Sequence, residues 1–255
     1  FWTMSSFFFY GSYARVFNVN SSGRLNSYYV DVADGVRPVV SLKSNVLQYG
    51  SGTMSDPFSV EKFDDGDSDG SGTAEGTLAS LGLSVSEGTP NFSNTSCSDT
   101  SVCGEATVGI YSAEDDLGTS YYFRGDVENN YVKFGKNSSG SDMWWRIIRI
   151  NGDGTVRMIY DGTSAHANGE GSTDKQVGTS KFNSSYNDNT YVGYMYGTAG
   201  ASTYDATHSN STDSTIKIYL DSWYEDNLSN YASYIADAGF CNDRSIYQGL
   251  GYGEN

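Results

Sequence analysis

Cysteines, clustered acids and histidines are the residues of this sequence that could do chemistry. Cys97 and Cys103 bracket Ser-Asp-Thr-Ser-Val, a loop short enough for a disulfide to close, with two free thiols as the alternative. Cys241, in Phe240-Cys241-Asn242-Asp243-Arg244, is left over, which in an exported chain points to a partner elsewhere. Zinc does not fit, because His166 and His208 stand far from the cysteines and give no ligand spacing. Asp65-x-Asp67-x-Asp69-Gly70 opens like a calcium loop. The bidentate Glu such a loop needs would fall at Gly76, and Glu75 is one place early, so a solvated acidic linker is the better reading. Glu114-Asp115-Asp116 supplies adjacent carboxylates, but acids that follow a turn face solvent rather than each other across a cleft. His166 lies in a Gly/Ala/Asn stretch and His208 in a Ser/Asn/Thr stretch, neither beside an evident nucleophile or base. The expectation is no catalytic residue, no metal site and no cofactor.

Aromatic rings are the remaining candidates. Tyr191, Tyr194, Tyr196 and Tyr204 are interspersed through a Gly/Ser/Asn/Thr-rich stretch, residues 161–212, that reads as a long loop region. Rigid tyrosines among adaptable Ser, Gly and Asn residues make a binding surface, so these four are the candidate ligand-binding residues, with plain packing as the alternative for each.

The elements that must position them read as follows. Trp144–Ile150 and Thr155–Tyr160 flank Asn151-Gly152-Asp153-Gly154, whose dipeptides tolerate the positive φ of a tight turn, and so form a β-hairpin. Strict alternation puts Trp145, Ile147 and Arg149 on one face and Trp144, Arg146, Ile148 and Ile150 on the other, so both faces are partly covered. Tyr121–Gly125 and Tyr131–Gly135 read as two strands joined through Asp126–Asn130. Tyr28–Val32 and Arg37–Leu42 read as strands separated by the turn Ala33-Asp34-Gly35. Helix is expected near Leu78–Leu83. The main helix is capped by Asp213 or Ser214 and runs to about Asn227, with a core-facing stripe of Ile216, Leu220, Trp223 and Leu228. The fold class is therefore α+β and strand-dominated, with a β-hairpin core, one main helix and long loops.

Composition bounds the function. The 255 residues carry 15 Lys plus Arg against 31 Asp plus Glu, a net charge of -16 that leaves no basic footprint for nucleic acid. Aromatics make up 15% of the chain, too many for a disordered acidic protein. No apolar run reaches the length of a membrane span, so no membrane insertion is expected. The chain begins with Phe1, which reads as a processed product or an internal fragment.

Tyr122–Gly135, Trp145–Tyr160 and Phe240–Ser245 resemble an uncharacterised domain of exported multi-module surface proteins of Gram-positive gut-type bacteria, one also found behind pilin-like N-terminal helices. Trp2-Thr3-Met4-Ser5 and Gly35-Val36-Arg37-Pro38-Val39-Val40-Ser41-Leu42 resemble the end of the same domain. The order is inverted, since the ending precedes the beginning. This implies residues 1–60 as the C-terminal part of one module, 61–104 as an acidic and Ser/Gly-rich linker, and 105–255 as the N-terminal part of a following module. One permuted domain, with 1–60 packed on 105–255, is the alternative. The resemblance places the partner of Cys241 in a missing part of the module. The Trp-Thr-Met-Ser and Gly-Val-Arg-Pro-Val-Val patterns are also similar to closing strands of C-type-lectin-like and formylglycine-generating-enzyme-like folds, whose oxidase cysteines have no counterpart here.

The functional expectation is a non-catalytic extracellular module attached to the cell surface, used for adhesion to a glycan or to a host or bacterial surface protein, in a tandem array with neighbouring modules. A structural spacer or pilus-associated stalk repeat without a ligand is the alternative.

Overall fold

A computed structural model of the chain describes residues 1–10, 13–21, 23–60, 73–86 and 108–240. Cys97, Cys103, Cys241 and the calcium-like stretch 65–70 lie outside the described residues. The fold is α+β and strand-dominated. The first strands are β1 (Trp2–Tyr10), β2 (Tyr13–Val19), β3 (Leu25–Tyr29), β4 (Ala33–Val36), β5 (Val39–Leu42), β6 (Leu47–Tyr49) and β7 (Phe58–Val60). After helix α1 (Ala74–Ser80) come β8 (Gly109–Asp115), β9 (Gly118–Arg124), β10 (Tyr131–Lys136), β11 (Asp142–Ile150) and β12 (Val156–Gly162). The remainder holds β13 (Gly178–Lys181), β14 (Met195–Tyr196), α2 (Tyr204–His208), β15 (Thr212–Asp213) and α3 (Thr215–Asn227).

Two compact units result. One is built mainly from Phe1–Arg37 and Gln176–Asp226, the other from Pro38–Lys175 with Asn227–Ala238. In the first, β1, β2 and β3 form an antiparallel three-stranded sheet, and β4 pairs with β13. Alternation along β2 sends Ala14 and Val16 into a core with Trp2, Val30, Val36, Phe182, Val192 and Ile216. The Trp2 indole packs edge-on against Phe182 and donates to the Ser180 carbonyl at 2.8 Å, so its polar atom is satisfied where it is buried. The main helix starts where the sequence predicts: Ser214 Oγ accepts the Lys217 N–H at 3.2 Å, and Ile216 is buried.

The second unit is organised by an eight-stranded sheet in the order β5-β12-β11-β10-β7-β6, with β9 joining the C-terminal half of β11 and carrying β8. Strands from residues 39–60 therefore lie in one sheet with strands from 109–162. The predicted hairpin is its centre. Asn151 N–H donates to the Thr155 carbonyl at 2.9 Å, Asn151 Nδ2 to Thr155 Oγ1 at 2.7 Å, and Gly154 takes φ +81°. Helix α1 is tied to this turn by Thr77 Oγ1, which donates to the Gly154 carbonyl at 2.8 Å. Trp145 is fully buried, edge-on to Tyr160, with its indole N–H on the Phe134 carbonyl at 2.9 Å.

Strict alternation fails along the hairpin because both strands carry bulges. Ile147 pairs with Met158 but Arg149 with Arg157, so Ile148 is an extra residue, and the core face runs Trp145, Ile147, Ile150. On β12, Trp144 pairs with Gly162 but Trp145 with Tyr160, which leaves Asp161 as the extra residue there.

Other local expectations are corrected. Ala33-Asp34-Gly35 is strand β4 rather than a turn, because pairing with Ser180, Thr179 and Lys181 overrides local turn preference. The predicted strand through Val32 ends at Tyr29, and the predicted strand Arg37–Leu42 starts only at Val39, as β5, because Arg37-Pro38 separates it from β4. β9 and β10 are not partners: each pairs with β11, along different halves. The predicted loop 161–212 contains β13, β14 and α2, held by long-range bonds such as Asn183 N–H to the Val30 carbonyl at 2.8 Å.

Candidate ligand-binding surface

An exposed aromatic cluster lies on the first unit's sheet. The outward parity of β2 carries Tyr13 and Arg15, and the register Arg15↔Tyr29 sets Tyr29 beside them. Ala14 N–H donates to the Tyr186 carbonyl at 2.7 Å, which brings the Tyr186 loop against the start of β2. The Tyr186 ring then stacks on Tyr13 with centroids 5.1 Å apart and planes 14° from parallel. Tyr29 tilts against Tyr13 at 5.2 Å and Tyr28 against Tyr29 at 6.2 Å. The Arg15 guanidinium lies 4.9 Å from the Tyr29 centroid and donates to the Ser27 carbonyl at 2.8 Å.

Exposure separates this cluster from core packing. Tyr13, Tyr28, Tyr29 and Tyr186 are 46%, 42%, 38% and 37% exposed, although each touches another ring. The rings form a chain of contacts, Tyr186–Tyr13–Tyr29–Tyr28, in which Tyr28, paired with the buried Val16, meets only Tyr29; rings held this way lose little conformational entropy when a partner lands on them. The edge of β3 there offers little to an added strand. Asn26 Oδ1 accepts the Ser27 N–H at 2.9 Å while Arg15 occupies the Ser27 carbonyl, so side chains already fill both backbone groups of the central β3 residue.

The four tyrosines singled out from sequence are placed differently. Tyr191 and Tyr194 pack against the core of the first unit, and Tyr196 meets Tyr191 edge-on at 5.4 Å. Burial, aided by the carboxylates of Asp221 and Asp213 and opposed by Lys217, pushes the Tyr194 phenol up to about 12. Burial also raises the Tyr196 phenol. Tyr204 alone of the four is an exposed ring, 46% accessible and stacked 3.8 Å from His208 with planes 12° apart. Sequence reasoning missed Tyr13 and Tyr186 because only the fold brings them together. Tyr28 and Tyr29 were legible as strand residues but gave no sign of their neighbours.

The adjacent acids have structural work. Glu114 Oε1 accepts Thr119 Oγ1 at 2.5 Å across the β8–β9 turn. Asp115 accepts the Leu117 N–H and Tyr122 Oη, both at 2.8 Å, and pairs with Arg149. Among the described residues no group of three His, Cys, Asp or Glu side chains could hold a metal ion, and no helix is long and apolar enough to cross a membrane.

No protein-family model matches the chain, and neither a curated protein nor a solved structure gives a significant match to it.

Proposed function

We propose that this chain is a non-catalytic extracellular surface module, C-type-lectin-like in general plan and arrayed with neighbouring modules, that binds a glycan or a surface protein through Tyr13, Tyr28, Tyr29 and Tyr186. The supporting observation is the exposed tyrosine platform beside Arg15. Tyrosines offer apolar faces for a sugar ring or an apolar side chain, and their hydroxyls can bond the polar rim of either. The acidic, aromatic-rich composition agrees with an exported binding module.

The test is binding of the 255-residue protein to a glycan array and to intact bacterial and epithelial cells, beside Tyr13→Ala/Tyr186→Ala and Tyr204→Ala variants. Loss of one central aromatic contact costs about 1–2 kcal/mol, so the double variant should bind at least about ten-fold more weakly. Tyr204→Ala should bind like the parent. Absence of binding by the parent, or equal binding by the double variant, overturns the reading.

A further inference from the structure

The second unit contains a group of reactive side chains that the binding surface does not use. Asp161, the bulged residue of β12, has a side chain only 3% exposed. Lys175 Nζ, on a side chain 15% exposed, lies 3.7 Å from Asp161 Oδ1, and this ammonium makes no hydrogen bond among the described residues. On the other side of the same carboxylate, His166 Nδ1 is 4.0 Å from Asp161 Oδ2, buried and without a hydrogen-bond partner. His166 Nε2 faces Asp174 Oδ2 at 3.6 Å. Asp174 is in turn fixed by the Thr163 N–H, Thr163 Oγ1 and Ser164 Oγ at 3.1, 3.0 and 3.2 Å. Gly162, at φ +126°, makes room: a Cβ there would stand 2.6 Å from Asp174 Oδ2 and 2.7 Å from His166 Cε1.

An ammonium and a carboxylate withdrawn from water normally close to a hydrogen bond. Here they stop short of one, and a buried imidazole nitrogen beside them is left without a bond. Unsatisfied buried polar atoms of this kind call for an explanation, of which a reaction is one. The surroundings are dry and negative enough that burial, with Asp174 and Asp161, pushes the Tyr160 phenol up to about 12.

We infer that Lys175 and Asp161 condense to an intramolecular isopeptide bond. The ion pair first exchanges a proton, giving a neutral amine and a neutral carboxylic acid. Nζ then attacks Cγ of Asp161. The carbon–oxygen bond to Oδ2 breaks, and that oxygen leaves as water with both protons shed by nitrogen. Nζ–Cγ forms, Cγ–Oδ2 breaks, one water is released, and no oxidant or added reactant is required. His166 Nδ1, nearest the departing oxygen, carries the proton to it. Asp174 is a positioning residue that orients the ring. Fixed proximity supplies the effective concentration that the free groups lack in water, and the amide product replaces two buried charges with a neutral group.

Intact-mass spectrometry of the reduced, denatured 255-residue protein tests this. The expected mass is lower than the sequence mass by one water. A succinimide at an Asn-Gly or Asp-Gly step would also change the mass, so the assignment rests on a proteolytic fragment in which the peptides bearing Asp161 and Lys175 remain joined. Lys175→Arg keeps the cation but cannot form the bond, and should restore the full mass. His166→Gln should leave a mixture of linked and unlinked chains. An unlinked parent whose Lys175 is acylated by an amine-reactive ester after denaturation overturns the inference and leaves an ion pair only.

Discussion

Replacing Arg146 by methionine sets two large effects against each other. The arginine is 8% exposed, and burial lowers its pKa from the usual arginine value. It donates from Nε to Asn130 Oδ1 at 2.6 Å and from Nη2 to the Val127 carbonyl at 2.9 Å and to Asn168 Oδ1 at 2.7 Å. Its guanidinium also lies 3.7 Å from the Tyr131 ring centroid. Removing the charge returns a desolvation penalty of several kcal/mol, which is why buried charged groups are often replaced without loss. Against that, each bond from a charged donor contributes about 1.5–3 kcal/mol and the desolvated cation–π contact about 2 kcal/mol. A methionine side chain would fill most of the volume but leave the buried Asn130 Oδ1 facing an apolar chain and remove a charged donor from the part-buried Val127 carbonyl and Asn168 Oδ1. Asn130 cannot turn away to compensate, because its Nδ2 is committed to the Ile147 carbonyl at 3.0 Å.

The bonds should prevail, and Arg146→Met should destabilise the second unit by about 2–4 kcal/mol. Urea unfolding followed by tryptophan fluorescence reads this directly, since Trp144 and Trp145 adjoin Arg146 on β11. With a urea slope of about 2 kcal/mol/M, the midpoint should fall by roughly 1–2 M. A double-mutant cycle with Asn168→Ala should give a coupling of about 1–2 kcal/mol. An unchanged or higher midpoint for Arg146→Met would refute the reasoning, because it would mean that desolvation of the charge outweighs every bond the charge makes.

Two further outcomes follow from single residues. Partial burial opposes the Asp115 charge, but donors from Leu117, Ser120, Tyr122 and Arg149 outweigh it and hold the carboxyl below the usual carboxylate range. A depressed folded-state pKa contributes stability that is present above the unfolded value of about 3.9 and is lost as pH falls through the folded one. Acid titration of stability should therefore show a steeper loss below about pH 4 in the parent than in Asp115→Asn, and superimposable acid limbs would count against the paired carboxylate. Gly52, at φ +76°, would place a Cβ 2.3 Å from the buried Phe58 ring and 2.8 Å from the Asn129 carbonyl, whereas Gly140, at φ +83°, has nothing within 4 Å. Calorimetry should give a loss above about 3 kcal/mol for Gly52→Ala and about 1–2 kcal/mol for Gly140→Ala, and equal losses would exclude the close approach.

What the sequence made legible was local. The hairpin was readable because Asn151-Gly152-Asp153-Gly154 encodes its own turn and the flanks are β-branched and aromatic. The start of α3 was readable because Ser214 caps it three residues before Lys217. What failed was whatever the partner strand decides. Ala33-Asp34-Gly35 has turn chemistry, yet β13 recruits it into a ladder. Arg149 and Ile150 change faces because Ile148 is bulged, and no period-two pattern contains that information. The tyrosine platform is the extreme case. Its assembly joins β2, β3 and the Tyr186 segment through long-range pairing, including the backbone bond between Ala14 and Tyr186, so tyrosines interspersed in one stretch of sequence drew attention that a non-local cluster could not.

The Asp161 bulge ties fold to chemistry more closely than either hairpin strand does alone. Up to Tyr160, β12 buries alternate residues, Val156, Met158 and Tyr160; from there Asp161 and Gly162 are buried as well. The bulge thus disrupts the ladder at the one position where it also places a carboxylate under cover. A regular strand would avoid both penalties, and burying an apolar residue instead would be favourable. The Arg146 guanidinium attracts the Asp161 carboxylate electrostatically, but its hydrogen bonds go to Asn130, Val127 and Asn168. That network does, however, anchor Asn168 and hence the segment that carries His166, while Tyr131 Oη donates to the His166 carbonyl at 2.8 Å. The backbone that carries His166 is therefore held from two sides beside the carboxylate that the bulge presents. A covalent bond to Lys175 would convert both penalties into a fixed closure of the loop that follows β12, a role for the bulge that an exposed ion pair could not fill.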